Sequence, residues 1–172
     1  MVVLVALGAN LHAPGGTQPL ATLRAAAAAL DGLAGLRLVA LSRVWRTPPD
    51  PPDPSQPDYL NAVARLRPDR PGTAPDPAEL LRALLAVEAA HGRDRAGPVA
   101  ANAARPLDLD LVAVGATVRD APDPVLPHPR AHLRRFVLAP LAEVASGWTH
   151  PRLGRGVADL LAGLPDRGER PL

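Results

Sequence analysis

The chain of 172 residues has no cysteine, and inspection of its 19 basic residues finds arginine at every one and lysine nowhere. Without cysteine there is no disulfide framework, no thiolate zinc site and no cysteine nucleophile. That usage fits a cytoplasmic protein. Without lysine the phosphate-cradling pattern GxxxxGK[ST] is excluded outright, since its lysine reaches the phosphates. Any phosphate contact must therefore come from arginine, histidine, backbone N–H or a metal ion, and arginine suits bidentate contacts. Aromatics are scarce too: two tryptophans, one tyrosine and one phenylalanine. No apolar run approaches the roughly 18 residues of a membrane span. The opening Met1–Asn10 lacks a charged leader, so it reads as a buried strand that begins at once rather than as a signal peptide.

What is present suits one domain. Hydrophobic residues make up 47% of the chain, and the net charge is only +2. This excludes a disordered tail and a fibre, and it provides one core. Residues 1–172 are expected to form a single domain, with a core of about 2–143 and a tail over 144–172.

Val2–Leu7 is an apolar run that ends at the turn-like Gly8-Ala9-Asn10. An alanine-rich helix follows, with Thr17 as its expected N-cap, and stops at Asp31-Gly32. Leu36–Trp45 alternates as a strand, with Leu36, Leu38 and Ala40 on one face. Thr47–Pro54 then carries five prolines in eight residues, which makes a stiff exposed loop. Asp58–Leu66 is a third strand, with Tyr59, Asn61, Val63 and Arg65 sharing a face. Asp76 should cap a helix to about Ala90, with Pro77 at the first helical position and Glu79 at the third. After an irregular segment over Gly92–Ala104, Leu107–Val114 is a fourth strand. Helical pieces around Ala131–Glu143 and Val157–Leu164 close the chain. The order β-α-β-β-α-β predicts an α+β, ferredoxin-like antiparallel sheet with helices on one face and a C-terminal extension.

The most informative segment is Arg105-Pro106-Leu107-Asp108-Leu109-Asp110-Leu111-Val112. Strand side chains alternate, so Asp108 and Asp110 point the same way, with Cα atoms about 7 Å apart. An amphipathic edge strand with a solvated face would produce the same pattern. Aspartate, however, is among the poorest strand formers. Two neighbouring carboxylates also repel unless a cation lies between them. Magnesium favours one or two carboxylates completed by water and substrate phosphates. An acidic pair beside arginines is what a nucleoside-triphosphate site requires.

Here the chain resembles the 6-hydroxymethyl-7,8-dihydropterin pyrophosphokinase (2-amino-4-hydroxy-6-hydroxymethyldihydropteridine diphosphokinase) family of folate synthesis. The resemblance runs from Val3 to about Glu143, and its motifs fall in family order. They are Leu7-Gly8-Ala9-Asn10-Leu11, Trp45-Arg46-Thr47-Pro48-Pro49, Pro57-Asp58-Tyr59-Leu60-Asn61-Ala62, and Glu88 with Gly92-Arg93-Asp94-Arg95. Arg105–Asp110, Leu126-Pro127-His128 and Arg134–Glu143 complete the set, and the last three together are highly specific. The resemblance implies that Asp108 and Asp110 hold two magnesium ions. It implies that Arg93, Arg95, Arg105, His128 and Arg134 contact ATP, the co-substrate, with Arg93 and Arg105 joining the acidic pair in catalysis. Thr47, Pro48, Tyr59, Asn61 and Phe136 would form the pterin pocket. A flat heterocycle needs aromatic faces and a few amide groups at its edge, and the only tyrosine and the only phenylalanine fall at these positions.

On this reading the pterin alcohol attacks the β-phosphorus of ATP and AMP leaves. Segment 92–104 and the proline loop are candidate lids. The expected partners are these small molecules, with no nucleic acid and no membrane, for a cytoplasmic monomer. Ala9 stands where the family usually has serine, Asn102 where it often has tryptophan, and Ala104 and Pro106 replace proline and threonine. The 96–104 segment is also longer than usual, so altered affinity is expected rather than lost reaction. Glu88 is expected to order an arginine, and His12, His91, His132 and His150 to be surface or structural. Two rivals stand beside this reading. A ferredoxin-like nucleic-acid module is disfavoured by the scarcity of aromatics, and a metal-dependent phosphohydrolase would use the same acidic pair.

Overall fold

The computed structural model describes residues 1–93 and 104–172. Its regular elements are β1 (Val3–Ala9), α1 (Pro19–Ala29), β2 (Leu36–Leu41), β3 (Trp45–Thr47), β4 (Tyr59–Pro68), α2 (Pro77–Ala90), β5 (Asp108–Val114), α3 (Arg135–Val144), α4 (Val157–Ala162) and β6 (Arg170–Pro171). They form one antiparallel sheet in the order β5-β1-β4-β3-β6, with β2 also paired to β4. None of the described helices is long and apolar enough to cross a membrane.

β1 is central and buried along its whole length, which explains why its sequence is uniformly apolar or small. Val3, Val5 and Leu7 face one core with Leu23 and Ala26 of α1 and Leu80 and Leu84 of α2. Leu4 and Ala6 face a second core with Val137, Leu138 and Leu141 of α3 and Leu160 of α4. Each fully buried leucine contributes roughly 1.5–3 kcal/mol relative to exposure. The expectation of helices on one face therefore needs correcting. α1 and α2 share a face, but the extension is no appendage: α3 and α4 cover the other.

Several local expectations are also corrected. β1 does not turn at Gly8, because Gly8 pairs with Asn61 on one side and Asp108 on the other. α1 starts from Gln18 rather than Thr17. Thr17 instead accepts the Ala13 N–H at 2.9 Å across the turn made by Pro14-Gly15-Gly16. The expected strand 36–45 is two strands. A register shift between Leu38 and Ala40 moves Ala40 to the opposite face, against the second core, since a one-residue slip inverts every later side chain. The break after Leu41 is held by Glu143 of α3, which accepts the Arg43 backbone N–H at 2.8 Å and the Trp45 indole N–H at 3.1 Å. The helix expected over 131–143 is a short 3-10 turn, Ala131–Leu133, followed by α3. α2 starts as expected, with the Asp76 carboxylate accepting from the Ala78 N–H at 2.7 Å. His150 is a buried structural histidine, 2% exposed, whose Nδ1 accepts from the Arg152 and Leu153 amides.

Candidate active site

The sheet face that carries α3 is only partly covered by it. Leu107, just before β5, and Leu109 and Leu111 on it turn into the α1/α2 core, so Asp108 and Asp110 turn to the α3 side. Their cross-strand partners on β1 are Gly8 and Ala6. Two small residues there leave open space above the sheet, and a cavity of about 610 Å³ occupies it. Gly8 is required by that close packing: a Cβ on it would lie 2.9 Å from Asn61 Oδ1.

Arg93, Arg105, Asp108, Asp110, His128 and Arg134 all line this cavity, and so do Thr47, Pro48, Tyr59, Asn61 and Phe136. Residues more than eighty positions apart in sequence thus meet in one place. Arg95 and Asn102 lie outside the described residues.

The charged wall is built around β5. Asp108 is bound by two arginines, Arg93 at Oδ1 and Arg105 at Oδ2, the latter at 2.9 Å. Arg93 also donates to the Leu107 carbonyl and to Glu88 Oε1, each at 3.2 Å. Asp110 is less well compensated. Arg134 approaches it at 3.4 Å and His128 Nε2 at 3.9 Å. Burial and then the neighbouring Asp108 charge raise its carboxyl pKa above the ordinary value. Burial pushes the His128 imidazole down, against the pull of Asp110. His128 Nδ1 accepts the Arg130 N–H at 3.2 Å, which directs its other nitrogen toward Asp110. Burial likewise depresses the Arg134 guanidinium, which stacks 5.4 Å above the Phe136 ring.

The neighbouring wall, built on β3 and β4, is uncharged and amide-bearing. Asn61 Nδ2 donates to Thr47 Oγ1 at 2.7 Å, with both residues buried. This bond directs the remaining Asn61 donor and carbonyl for other use. Tyr59 lies two residues before Asn61 on β4, opposite Thr47, and burial raises its phenol pKa. Among the described residues no group of three or more histidines and carboxylates could hold a metal unaided. The acidic pair offers two ligands, which a cation with water and phosphate oxygens would complete.

Several site residues escaped the sequence reading. Asn10 accepts the Arg105 backbone N–H through Oδ1 at 2.9 Å and donates through Nδ2 to the Pro57 carbonyl at 3.2 Å. It thus ties the arginine to the segment before Tyr59. Its signal was its place in Gly8-Ala9-Asn10. Asp50, Asp53 and Gln56 of the proline loop also line the cavity, and nothing in their local sequence announced it.

The family model for 7,8-dihydro-6-hydroxymethylpterin-pyrophosphokinase (HPPK) matches residues 4–146. A 2-amino-4-hydroxy-6-hydroxymethyldihydropteridine pyrophosphokinase of Synechocystis is 39% identical over 107 residues, which are 60% of this chain and 49% of that protein. One of Pseudomonas aeruginosa is 38% identical over 113 residues, 64% of this chain and 62% of the relative. The matched segments thus span about half to three-fifths of these curated relatives. A crystal structure of a triple mutant of Plasmodium falciparum HPPK-DHPS shares the fold, with a TM-score of 0.67 at 10% identity over 94% of this chain and 44% of that one. The family match takes in both walls of the cavity, from β1 to α3, and the chain belongs to the 7,8-dihydro-6-hydroxymethylpterin-pyrophosphokinase family.

Proposed function

We propose that this protein transfers the terminal pyrophosphoryl group of ATP to the hydroxymethyl group of 6-hydroxymethyl-7,8-dihydropterin, releasing AMP, in folate synthesis. The observation that carries this reading is one cavity in which an acid-and-arginine wall stands beside an aromatic-and-amide wall across β1. One wall suits a triphosphate, the other a flat heterocycle with donors and acceptors on its edge.

In this reaction the alcohol oxygen bonds to the β-phosphorus. The bond from that phosphorus to the oxygen bridging the α- and β-phosphates breaks, AMP departs with that oxygen, and the alcohol proton is released. Arg93 and Arg105, already fixed on Asp108, are positioned to take phosphate oxygens, with Arg134 and His128 on the far side of the acidic pair. Arg95 would extend the same set. Thr47 and Asn61 would read the pterin edge, and Pro48, Tyr59 and Phe136 would enclose its faces. The chain's main contribution is position and fixed charge, which dominate phosphoryl transfer.

Two magnesium ions fit the donor set. Asp108 and Asp110 share one face, and burial, followed by the neighbouring Asp108 charge, raises the proton affinity of Asp110, a cost that a divalent cation bound between them would offset. Bound there, the metal would neutralise phosphate charge and acidify the attacking alcohol. We read β2 and β3 together as one interrupted strand of a ferredoxin-like βαββαβ unit, and residues 1–172 as one domain acting as a cytoplasmic monomer.

The test is AMP release from ATP and magnesium, with and without the pterin. Pterin-dependent AMP supports the reading. Inorganic phosphate formed without pterin would point instead to a hydrolase, and no product from folded protein would end the proposal. A second expectation concerns the pterin wall. Gly8→Ala drives a methyl group into the Asn61 amide, so pterin affinity should fall about tenfold, the factor that 1.4 kcal/mol represents. Pterin fluorescence titration measures it, and undiminished affinity would remove Asn61 from the pocket.

A further inference from the structure

Residues 165–172 lie beyond the segment that the family model matches, yet they return to β3 and to the proline loop that lines the cavity. Arg170 and Pro171 pair with Arg46 and Trp45 of β3, and the Leu172 N–H donates to the Val44 carbonyl at 2.9 Å. Thr47 of the cavity ends that strand, and Pro48 follows directly on it. The returning segment is anchored on α3, where Arg135 meets Asp166 at 3.8 Å and the nearly buried Glu169 at 3.5 Å. A tight turn joins them. The Asp166 carboxylate accepts the Gly168 N–H at 2.9 Å, and Gly168 has a φ of +91°, open to glycine at little cost. The turn projects Arg167 outward, where its guanidinium forms an ion pair with Asp50.

Asp50 belongs to the proline loop and lines the cavity. Arg134, the arginine nearest Asp110, lines the same cavity. If Asp50 were unpaired, it would compete for Arg134 and repel any polyanion entering the site. The five prolines of segment 47–54 restrict its backbone, so one contact can set the position of the whole loop.

We propose that residues 165–172 form a strap that latches the proline loop at the cavity through Arg167 and Asp50, holding the Asp50 carboxylate off the anion-binding arginines. Arg167 is a positioning residue in this scheme. The charge half of the scheme rests on the pyrophosphokinase reading, whereas the latch itself does not.

Two measurements separate them. Because the chain has no cysteine, Ser55→Cys places a single spin label on the loop. Arg167→Ala should sharpen its spectrum toward a mobile label, while Arg167→Lys keeps the wild-type line shape. In unlabelled protein, affinity for a magnesium complex of α,β-methylene ATP should fall about fivefold in Arg167→Ala. It should recover when Asp50→Asn is added. An unchanged spectrum would overturn the latch. An affinity loss that Asp50→Asn leaves in place would overturn the charge role. Wild-type protein that binds no nucleotide would sink the pyrophosphokinase reading and the charge role together, leaving the spectra to judge the latch.

Discussion

Asp108→Asn will lower pterin-dependent AMP release by roughly a thousandfold or more, equivalent to about 4 kcal/mol of lost transition-state stabilisation. The expectation rests on the number of things Asp108 does at one point. Its two oxygens hold Arg93 and Arg105 in place, and with Asp110 it supplies the same-face carboxylate pair. Asparagine keeps the size and one acceptor but loses the charge that would bind a divalent cation and orient both guanidinium groups. The variant should remain folded, because Leu107, Leu109 and Leu111, which hold β5 in the core, are untouched. Asp110→Asn should lose activity comparably and melt no lower than wild type, since it ends the repulsion between two close carboxylates. A rate above a tenth of wild type in Asp108→Asn, at saturating magnesium and ATP, would show that the chemistry does not depend on this carboxylate.

Glu88→Ala should destabilise the fold by about 3–5 kcal/mol, the usual result of removing one member of a buried ion pair. Glu88 is 1% exposed. Among the described residues β5 is an edge strand, with no neighbouring strand on the side of the outward Leu109 N–H. Glu88 Oε1 accepts it at 2.7 Å and the Arg93 guanidinium at 3.2 Å. Truncation strands a buried amide and leaves Arg93, only 11% exposed, with one carboxylate fewer. At 2–4 °C per kcal/mol for a domain of this size, the melting temperature should drop by about 10 °C. Glu88→Gln keeps an acceptor for Leu109 and should lose roughly half as much. It also remains readable if the alanine variant does not fold. Urea unfolding of both variants decides the matter, and a loss below about 1 kcal/mol for alanine would mean that Glu88 is not the bridge between α2 and β5.

Much of the site was legible because its chemistry is written locally. The alternation of leucine and aspartate over 107–111 places both acids on one face whatever surrounds the strand, since the period of two belongs to the backbone. Asp76 and Pro77 mark a helix start by the same kind of local rule. Tyr59 and Phe136 stood out because the composition offers no other tyrosine or phenylalanine. Other features were not legible because their cause lies far away in sequence. The break between β2 and β3 depends on Glu143, a hundred positions after Arg43. The tail looked inert because a two-residue strand containing proline has no periodicity to detect.

By itself, then, the sequence determined the central strands β1, β4 and β5 and the helices α1 and α2 to within a few residues, the same-face acidic pair and the exclusion of lysine- and cysteine-based chemistry. These follow from residue identity and from the fixed periods of the backbone. Only the tertiary structure decided which sheet face became the site, because that depends on which helices cover it. α3 and α4 bury one half of the face bearing Asp108 and Asp110, and Gly8 and Ala6 leave the other half open. The attachment of Asp50 to Arg167, 117 positions apart, is likewise a product of chain return, which no local pattern encodes.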